Sequence, residues 1–231
     1  MGKIIAVMGA GGKTTTMEAL GKALGGKRVL LTTTTHIFPI RPPKCRELLL
    51  DPEEDRLLQA LSEHGAVCAG SDAGRNKLGS LPDALMQKAA QNAEITVCEA
   101  DGANMHPAKL HRAGEPVIPE GTDRCVIVMG LSALNWPVSQ VIHRYGLNPR
   151  WEGNPDQLTG CEELLTCVQE SISASHMEQK QIKILLNQTD AVTDPEQAEK
   201  ILRTLEREGW DCRAGSMACY PEPLTDWILS E

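Results

Sequence analysis

The sequence is poor in aromatic residues: its 231 positions include one phenylalanine, Phe38, and two tyrosines. A core built without them is aliphatic, filled out by methionine and cysteine. Nor is there material for a stacking surface that would hold single-stranded nucleic acid. Positive charge is also short. A formal charge of −8 repels a phosphate backbone in general, so any bound phosphate needs a local cluster of donors. A nucleotide pocket meets that condition, whereas a nucleic-acid-reading face does not. The eight cysteines contain no C-x-x-C and no zinc-type pairing, and several, such as Cys98 and Cys125, lie in apolar runs where a free thiol acts as a small hydrophobe. Such usage fits a reducing compartment. No signal-peptide core is read at the N-terminus, and no apolar run reaches the ~18 residues of a membrane span. The expectation is a cytoplasmic protein that engages neither membrane nor nucleic acid.

What is present is an alternation of strands and helices. Lys3 to Met8 is a short apolar and β-branched run, Thr14 to Leu24 reads as a helix closed by Gly25-Gly26, and Arg28 to Leu31 is a second strand. At Asp51-Pro52-Glu53-Glu54-Asp55 a capping aspartate, a proline and acids mark a helix start that runs to near Gly65. Further strands are expected at Ala66 to Ala69, Ile95 to Cys98, Cys125 to Met129 and Ile182 to Leu186. Helices are expected at Pro82 to Asn92, near Cys161 to Ser173, and after Thr193-Asp194-Pro195-Glu196, which reads as a capping box. The pattern predicts an α/β fold, a largely parallel sheet flanked by helices, of the P-loop NTPase-like kind. It is read as one domain over residues 1–231, with a small insertion around 38–80. In such sheets a site lies beyond the carboxyl ends of the strands, so the polar loops there should converge.

The first of those loops is Gly9-Ala10-Gly11-Gly12-Lys13-Thr14, a G-x-x-G-K-[ST] pattern between a predicted strand and a predicted helix. Glycines let the backbone curl so that N–H groups face an anion, and the helix N-terminus adds a positive dipole. Lys13 can reach the outer phosphates, while the Thr14 hydroxyl suits Mg²⁺. Gly9, Ala10, Gly11, Gly12, Lys13, Thr14 and Thr15 are therefore the candidate ATP or GTP contacts. The longer form of the motif would need glycine at Val7, so this is a compact variant, locally similar to the loops of Mur-type ligases.

A second loop, Glu99-Ala100-Asp101-Gly102, follows a buried strand. Carboxylates there can hold Mg²⁺ or orient an attacking water, which makes Glu99 and Asp101 candidates for metal and catalytic roles beside Lys13. A third, Asn187-Gln188-Thr189-Asp190, resembles the N-K-x-D signature by which GTPases read guanine, with glutamine in place of lysine. Asn187 and Asp190 are candidates for base contacts; a capping turn is the competing reading. The threonine run ending in Thr34, Thr35 and His36 can bind metal-bound water or a second substrate, or simply close a strand. His106, His111, Lys109 and Arg112 can form a basic rim for an anionic substrate, and His143-Arg144 can add to it or lie on an exposed helical face. A thiol at Cys98 is one residue from Glu99 and reads first as core packing.

Together the segments Val7 to Thr15, Val29 to Ile37, Glu99 to Ala103, Glu115 to Pro119, His143-Arg144 and Asn187 to Asp190 resemble the YqeC family, which is named for accessory proteins of selenium-dependent hydroxylases. The resemblance carries over Gly9, Gly12, Lys13 and Thr14 as the phosphate loop, Thr32 to His36 as the threonine–histidine segment, and Glu99 with Asp101 as the acidic segment. The family's P-L-K appears as Pro107-Ala108-Lys109, retaining the lysine without the leucine. The resemblance implies a cytoplasmic nucleotide-binding accessory protein for the maturation of selenium-dependent molybdenum hydroxylases, with a molybdenum hydroxylase or its maturation proteins as partner. The loop residues themselves lead to the expectation of a Mg²⁺-dependent NTPase acting on ATP or GTP. A small-molecule phosphotransferase or Mur-type ligase, and a non-hydrolysing nucleotide-gated scaffold, remain alternatives.

Overall fold

The structure, a computed structural model, describes residues 2–230. It is an α/β fold whose sheet is mostly parallel and flanked by helices, as the strand–helix alternation predicts. The chain divides into two compact units. The first comprises Met1–Val7, Thr14–Asp101 and Val117–Arg124, the second Met8–Lys13, Gly102–Pro116 and Cys125–Glu231.

The first unit is built from β1 (Lys3–Gly9, whose last two residues pass into the second unit), α1 (Lys13–Ala23), β2 (Arg28–Thr33), β3 (Glu47–Leu50), α2 (Glu54–Leu61), β4 (Gly65–Asp72), β5 (Leu78–Gly79), α3 (Asp83–Asn92) and β6 (Ile95–Glu99). The strands stand side by side in the order β3-β4-β2-β6-β1, every neighbour parallel, and β5 turns back antiparallel on β4. All five residues of β6 are buried, which is why its run is apolar without alternation. Leu57, Ala60 and Leu61 of α2 and Ala89 of α3 pack with Leu30 and Val67 of β2 and β4. Burying one such leucine contributes roughly 1.5–3 kcal/mol. A glycine in α1 serves the same packing: a Cβ on Gly21 would meet the Leu31 side chain at 3.1 Å and Ala66 at 3.3 Å.

The second unit contains β7 (Ala108–Lys109), β8 (Arg124–Gly130), α4 (Val138–Val141), β9 (Ile142–His143), α5 (Pro149–Glu152), α6 (Cys161–Ser175), β10 (Ile182–Asn187), α7 (Pro195–Arg207), β11 (Asp211–Ala214) and α8 (Pro221–Leu229). Strands β8, β10 and β11 are parallel neighbours in that order, and β7 pairs with β9 in a separate two-stranded ribbon. Helix α7 starts where its sequence predicts, but through a single cap and not a Thr193–Glu196 box: Asp194 accepts from the Gln197 N–H at 3.1 Å, with Pro195 at the first position. Buried Lys183 of β10 donates to the Trp227 and Ser230 carbonyls at 2.5 and 3.2 Å, a cation placed at the C-terminus of α8.

One expectation changes. Asp51 does not cap α2, which begins at Glu54 after Glu53. Its carboxylate instead accepts from the Asp72 N–H at 3.2 Å, and its own backbone is left-handed with φ 45°. Glu47–Leu50 adds a strand, β3, along β4.

Candidate functional site

The glycine loop at the exit of β1 has the geometry its composition dictates. Gly9, Gly11 and Gly12 have φ of 90°, 81° and 122°, a region costly for any residue with a Cβ. Space forbids a side chain as well. A Cβ on Gly9 would stand 2.2 Å from the Val128 carbonyl oxygen, and one on Gly11 2.4 Å from Gly130. The loop is pinned to β8 by the Ala10 N–H, which donates to Val128 O at 2.8 Å. Lys13 then opens α1. It is buried, and its ammonium curls back to donate to Gly9 O at 2.6 Å across the turn. The loop therefore presents curled backbone, a helix N-terminus and a lysine together, the elements of an anion cradle. Thr14 and Thr15 follow in the first turn, half-buried.

A third strand holds this loop. Asn187, at the end of β10, donates from Nδ2 to Gly11 O at 2.8 Å and accepts at Oδ1 from the Met217 N–H at 2.9 Å. Its amide is occupied by backbone at both ends, so here it positions the loop. Gln188, in a left-handed conformation, accepts from Ser132 Oγ at 2.6 Å. Asp190 lies exposed in a short helical turn, and Asp194 fulfils the capping duty.

In the first unit, Glu99 pairs in register with Val7 on one side and Thr33 on the other, and the Ala100 N–H donates to Val7 O at 2.9 Å. Glu99 is thus fixed at the end of β6, level with Val7 of β1, and Asp101 follows two residues beyond it. Both are buried. Buried carboxylates are expensive to maintain unless paired or hydrogen-bonded. The threonine run does different work. Thr32 Oγ1 donates to Ala69 O at 2.8 Å, Thr33 Oγ1 to Glu99 O at 2.9 Å, and Thr34 Oγ1 to Val117 O at 2.6 Å. Thr33 Oγ1 also accepts from the Thr35 N–H at 3.0 Å. These hydroxyls stitch β2 to its neighbours, while His36 is exposed beyond them.

The basic residues that follow the acidic loop separate into two groups. His111 turns to Glu170, its Nδ1 2.7 Å from Oε2 and its N–H donating to Oε1 at 3.0 Å. Lys109, fully buried, donates to Gly102 O at 2.8 Å and reaches Glu115 at 3.5 Å. Glu115 also receives both terminal nitrogens of Arg144, one at 2.9 Å, and Arg112 Nε at 2.9 Å. Burial by itself would raise the Glu115 carboxyl, but the Arg144 hydrogen bonds and the charges of Lys109, Arg144 and Arg112 hold it down at about 2. His143, its ring tilted against that of His106 with centroids 5.4 Å apart, is pushed down to about 4 by burial and then by Arg144, Lys109 and His106. Lys109, His143 and Arg144 thus gather around the Glu115 carboxylate, and His143, in β9, does not lie on a helical face. Cys98 is a core thiol, pushed up to about 12 by burial and then by the Glu99 charge.

No solved structure matches the chain. Among the described residues, no helix is long and apolar enough to cross a membrane. A protein of Escherichia coli (strain K12) carrying the name "Uncharacterized protein YqeC" is 34% identical over 156 residues, covering 62% of this chain. The match spans 57% of that protein's length. The family model described as YqeC protein matches residues 5–146, a stretch that takes in the glycine loop, the threonine run, the acidic exit of β6 and the basic cluster. On that match the chain belongs to the YqeC family.

Proposed function

We propose that this protein binds a nucleoside triphosphate with Mg²⁺ and hydrolyses it, acting in the cytoplasm as an accessory factor in the maturation of selenium-dependent molybdenum hydroxylases. The observation that carries the reading is the loop Gly9–Lys13: three glycines with positive φ between a strand and a helix N-terminus, each closely packed, with a buried lysine at the first helical position. Loop amides and Lys13 bind the phosphates, with Thr15 alongside. The Thr14 hydroxyl and the carboxylates of Glu99 and Asp101 form a hard oxygen donor set suited to Mg²⁺, which commonly uses one or two carboxylates together with substrate phosphates. That cation would neutralise charge on the outer phosphates. Glu99 or Asp101 is also the group to orient an attacking water. Asp190, exposed in the short helical turn after β10, is the group that would accept from a guanine were the nucleotide GTP. The client, a molybdenum hydroxylase or one of its maturation proteins, rests on the family resemblance alone.

A second reading, transfer of a phosphoryl group to a small acceptor, is favoured by the basic cluster at Lys109, His143 and Arg144. Phosphate release from MgATP and MgGTP separates the two. Hydrolysis predicts turnover by the protein alone, lost in Glu99→Gln or Asp101→Asn, with Asp190→Ala weakening GTP binding and leaving ATP binding unchanged. Nucleotide binding without turnover in the wild type would overturn hydrolysis in favour of a transferase awaiting its acceptor or a nucleotide-gated scaffold.

A further inference from the structure

Hydrogen bonds within the second unit lead from the glycine loop to a turn that the sequence does not single out. Asn187 spans the first gap, donating from Nδ2 to Gly11 O at 2.8 Å and accepting at Oδ1 from the Met217 N–H at 2.9 Å. The exits of β10 and β11 are joined twice more: the Gly215 N–H donates to Leu186 O at 3.0 Å, and the Thr189 N–H to Gly215 O at 3.2 Å. The segments 187–190 and 215–218 therefore lie side by side, with Met217 one side-chain amide away from Gly11.

Beyond β11 the chain closes a single tight turn, the Tyr220 N–H donating to Ser216 O at 2.9 Å. Successive N–H groups in a turn closed by such a bond point the same way. Two of the three inside it are engaged: the Met217 N–H by Asn187, and the Cys219 N–H by Ser216 Oγ at 3.2 Å. The one between them, on exposed Ala218, has no partner among the described residues. It is an open donor on the side of the turn that faces Asn187. An open acceptor accompanies it. Asp190, three residues beyond Asn187, is exposed, and its carboxylate makes no hydrogen bond or ion pair among the described residues. Gln188 does not compete for the same space, because its amide oxygen is turned toward β8 and accepts from Ser132 Oγ at 2.6 Å.

We infer that the Ala218 N–H and the Asp190 carboxylate together read the edge of a 6-oxopurine, so that the site takes guanine nucleotides and rejects adenine nucleotides; this rests on the reading of Gly9–Lys13 as a nucleotide's phosphate loop. Guanine offers an acceptor at O6 beside donors at N1 and the 2-amino group. The acceptor suits Ala218, and the two donors suit a carboxylate. Adenine carries an amino donor in place of O6 and a bare N1. It sets donor against donor at Ala218 and acceptor against acceptor at Asp190, so repulsion adds to the lost attraction.

The test is calorimetric titration of the full chain with the Mg²⁺ complexes of GTP, ITP, XTP, 6-thio-GTP and ATP. GTP should bind at least about 100-fold tighter than ATP. ITP, which keeps the 6-oxo group and N1–H but lacks the 2-amino group, should fall within about tenfold of GTP. Replacing O6 by sulfur, a weak acceptor, changes the Ala218 contact and leaves both donors to Asp190; 6-thio-GTP should bind about tenfold more weakly than GTP. Asp190→Asn presents an amide to the base, and it should reverse the order of GTP and XTP, whose 2-oxo group accepts where guanine donates. Equal binding of GTP and ATP, 6-thio-GTP as tight as GTP, or an unreversed order in Asp190→Asn would overturn the inference while nucleotide binding itself stands. Failure of all five triphosphates to bind would overturn the phosphate-loop reading, and this inference with it.

Discussion

The exits of β1 and β2 resemble one another in sequence, each an apolar strand running into small polar residues, and they do opposite things. At β2 the hydroxyls of Thr32, Thr33 and Thr34 are consumed by the carbonyls of Ala69, Glu99 and Val117. At β1 there are no side chains to consume; Gly9, Gly11 and Gly12 turn the backbone through positive φ, and Asn187 fastens the curl from outside at Gly11 O. One exit is a clasp and the other a cradle. The difference teaches that short polar residues beyond a strand identify a site only when their hydrogen-bonding groups are not already needed by the fold.

Substitutions at the two exits should separate those roles. Gly9→Ala should have the largest effect, because the added methyl meets the Val128 carbonyl at 2.2 Å with φ at 90°. A loss of about 3 kcal/mol is expected from strain and overpacking, read by chemical denaturation. Lys13→Ala should weaken nucleotide about 100-fold, the value of one charge-assisted contact of ~2.7 kcal/mol, while thermal stability changes little. Thr33→Val should behave in the reverse manner, losing about 1 kcal/mol of stability for its bond to Glu99 O with nucleotide affinity changed less than threefold. If Thr33→Val weakened nucleotide as much as Lys13→Ala, the contrast between clasp and cradle would collapse.

The Glu115 cluster supplies a third region, one whose signature is pH. Glu115, held at about 2 from an ordinary 4.5, binds fewer protons in the fold than in the unfolded chain, so its contribution is complete above pH 4.5 and disappears as pH falls toward 2. His143, at about 4 from an ordinary 6.5, stays neutral in the fold when the unfolded histidine is charged, so stability also falls as pH drops from 6.5 to 4. Denaturation across pH should decline in two stages. His143→Asn should flatten the upper one and Glu115→Gln the lower.

Much of this was legible in the sequence where local signals suffice. Strands β1, β2, β6, β8 and β10 are short, mostly apolar runs, and α7 carries its aspartate cap and proline. The glycine loop declares itself because positive φ and close backbone approach are demands that glycine alone meets. Non-local features were hidden. Strand β3 is half-exposed and exists through β4, and β11 is largely exposed and takes its register from β10. The two-residue ribbon β7–β9 is too short to leave a periodic trace. In the same way, Arg144 meets Glu115 across 29 residues and Asn187 meets Gly11 across 176. No spacing rule anticipates such pairs. The basic rim was foreseen as residue types, but its division, with His111 on Glu170 and Lys109 on Glu115, depends on where α6 and β9 carry their side chains.

The central claim is that the curled loop at the exit of β1 holds the phosphates of a nucleotide through its backbone and Lys13. Isothermal titration calorimetry of MgATP and MgGTP against wild type and Lys13→Ala tests it most directly. Saturable binding of at least one nucleotide to the wild type, about 100-fold weaker in a folded Lys13→Ala, is the result the account predicts. No heat with either nucleotide, or equal affinity in the variant, would contradict it.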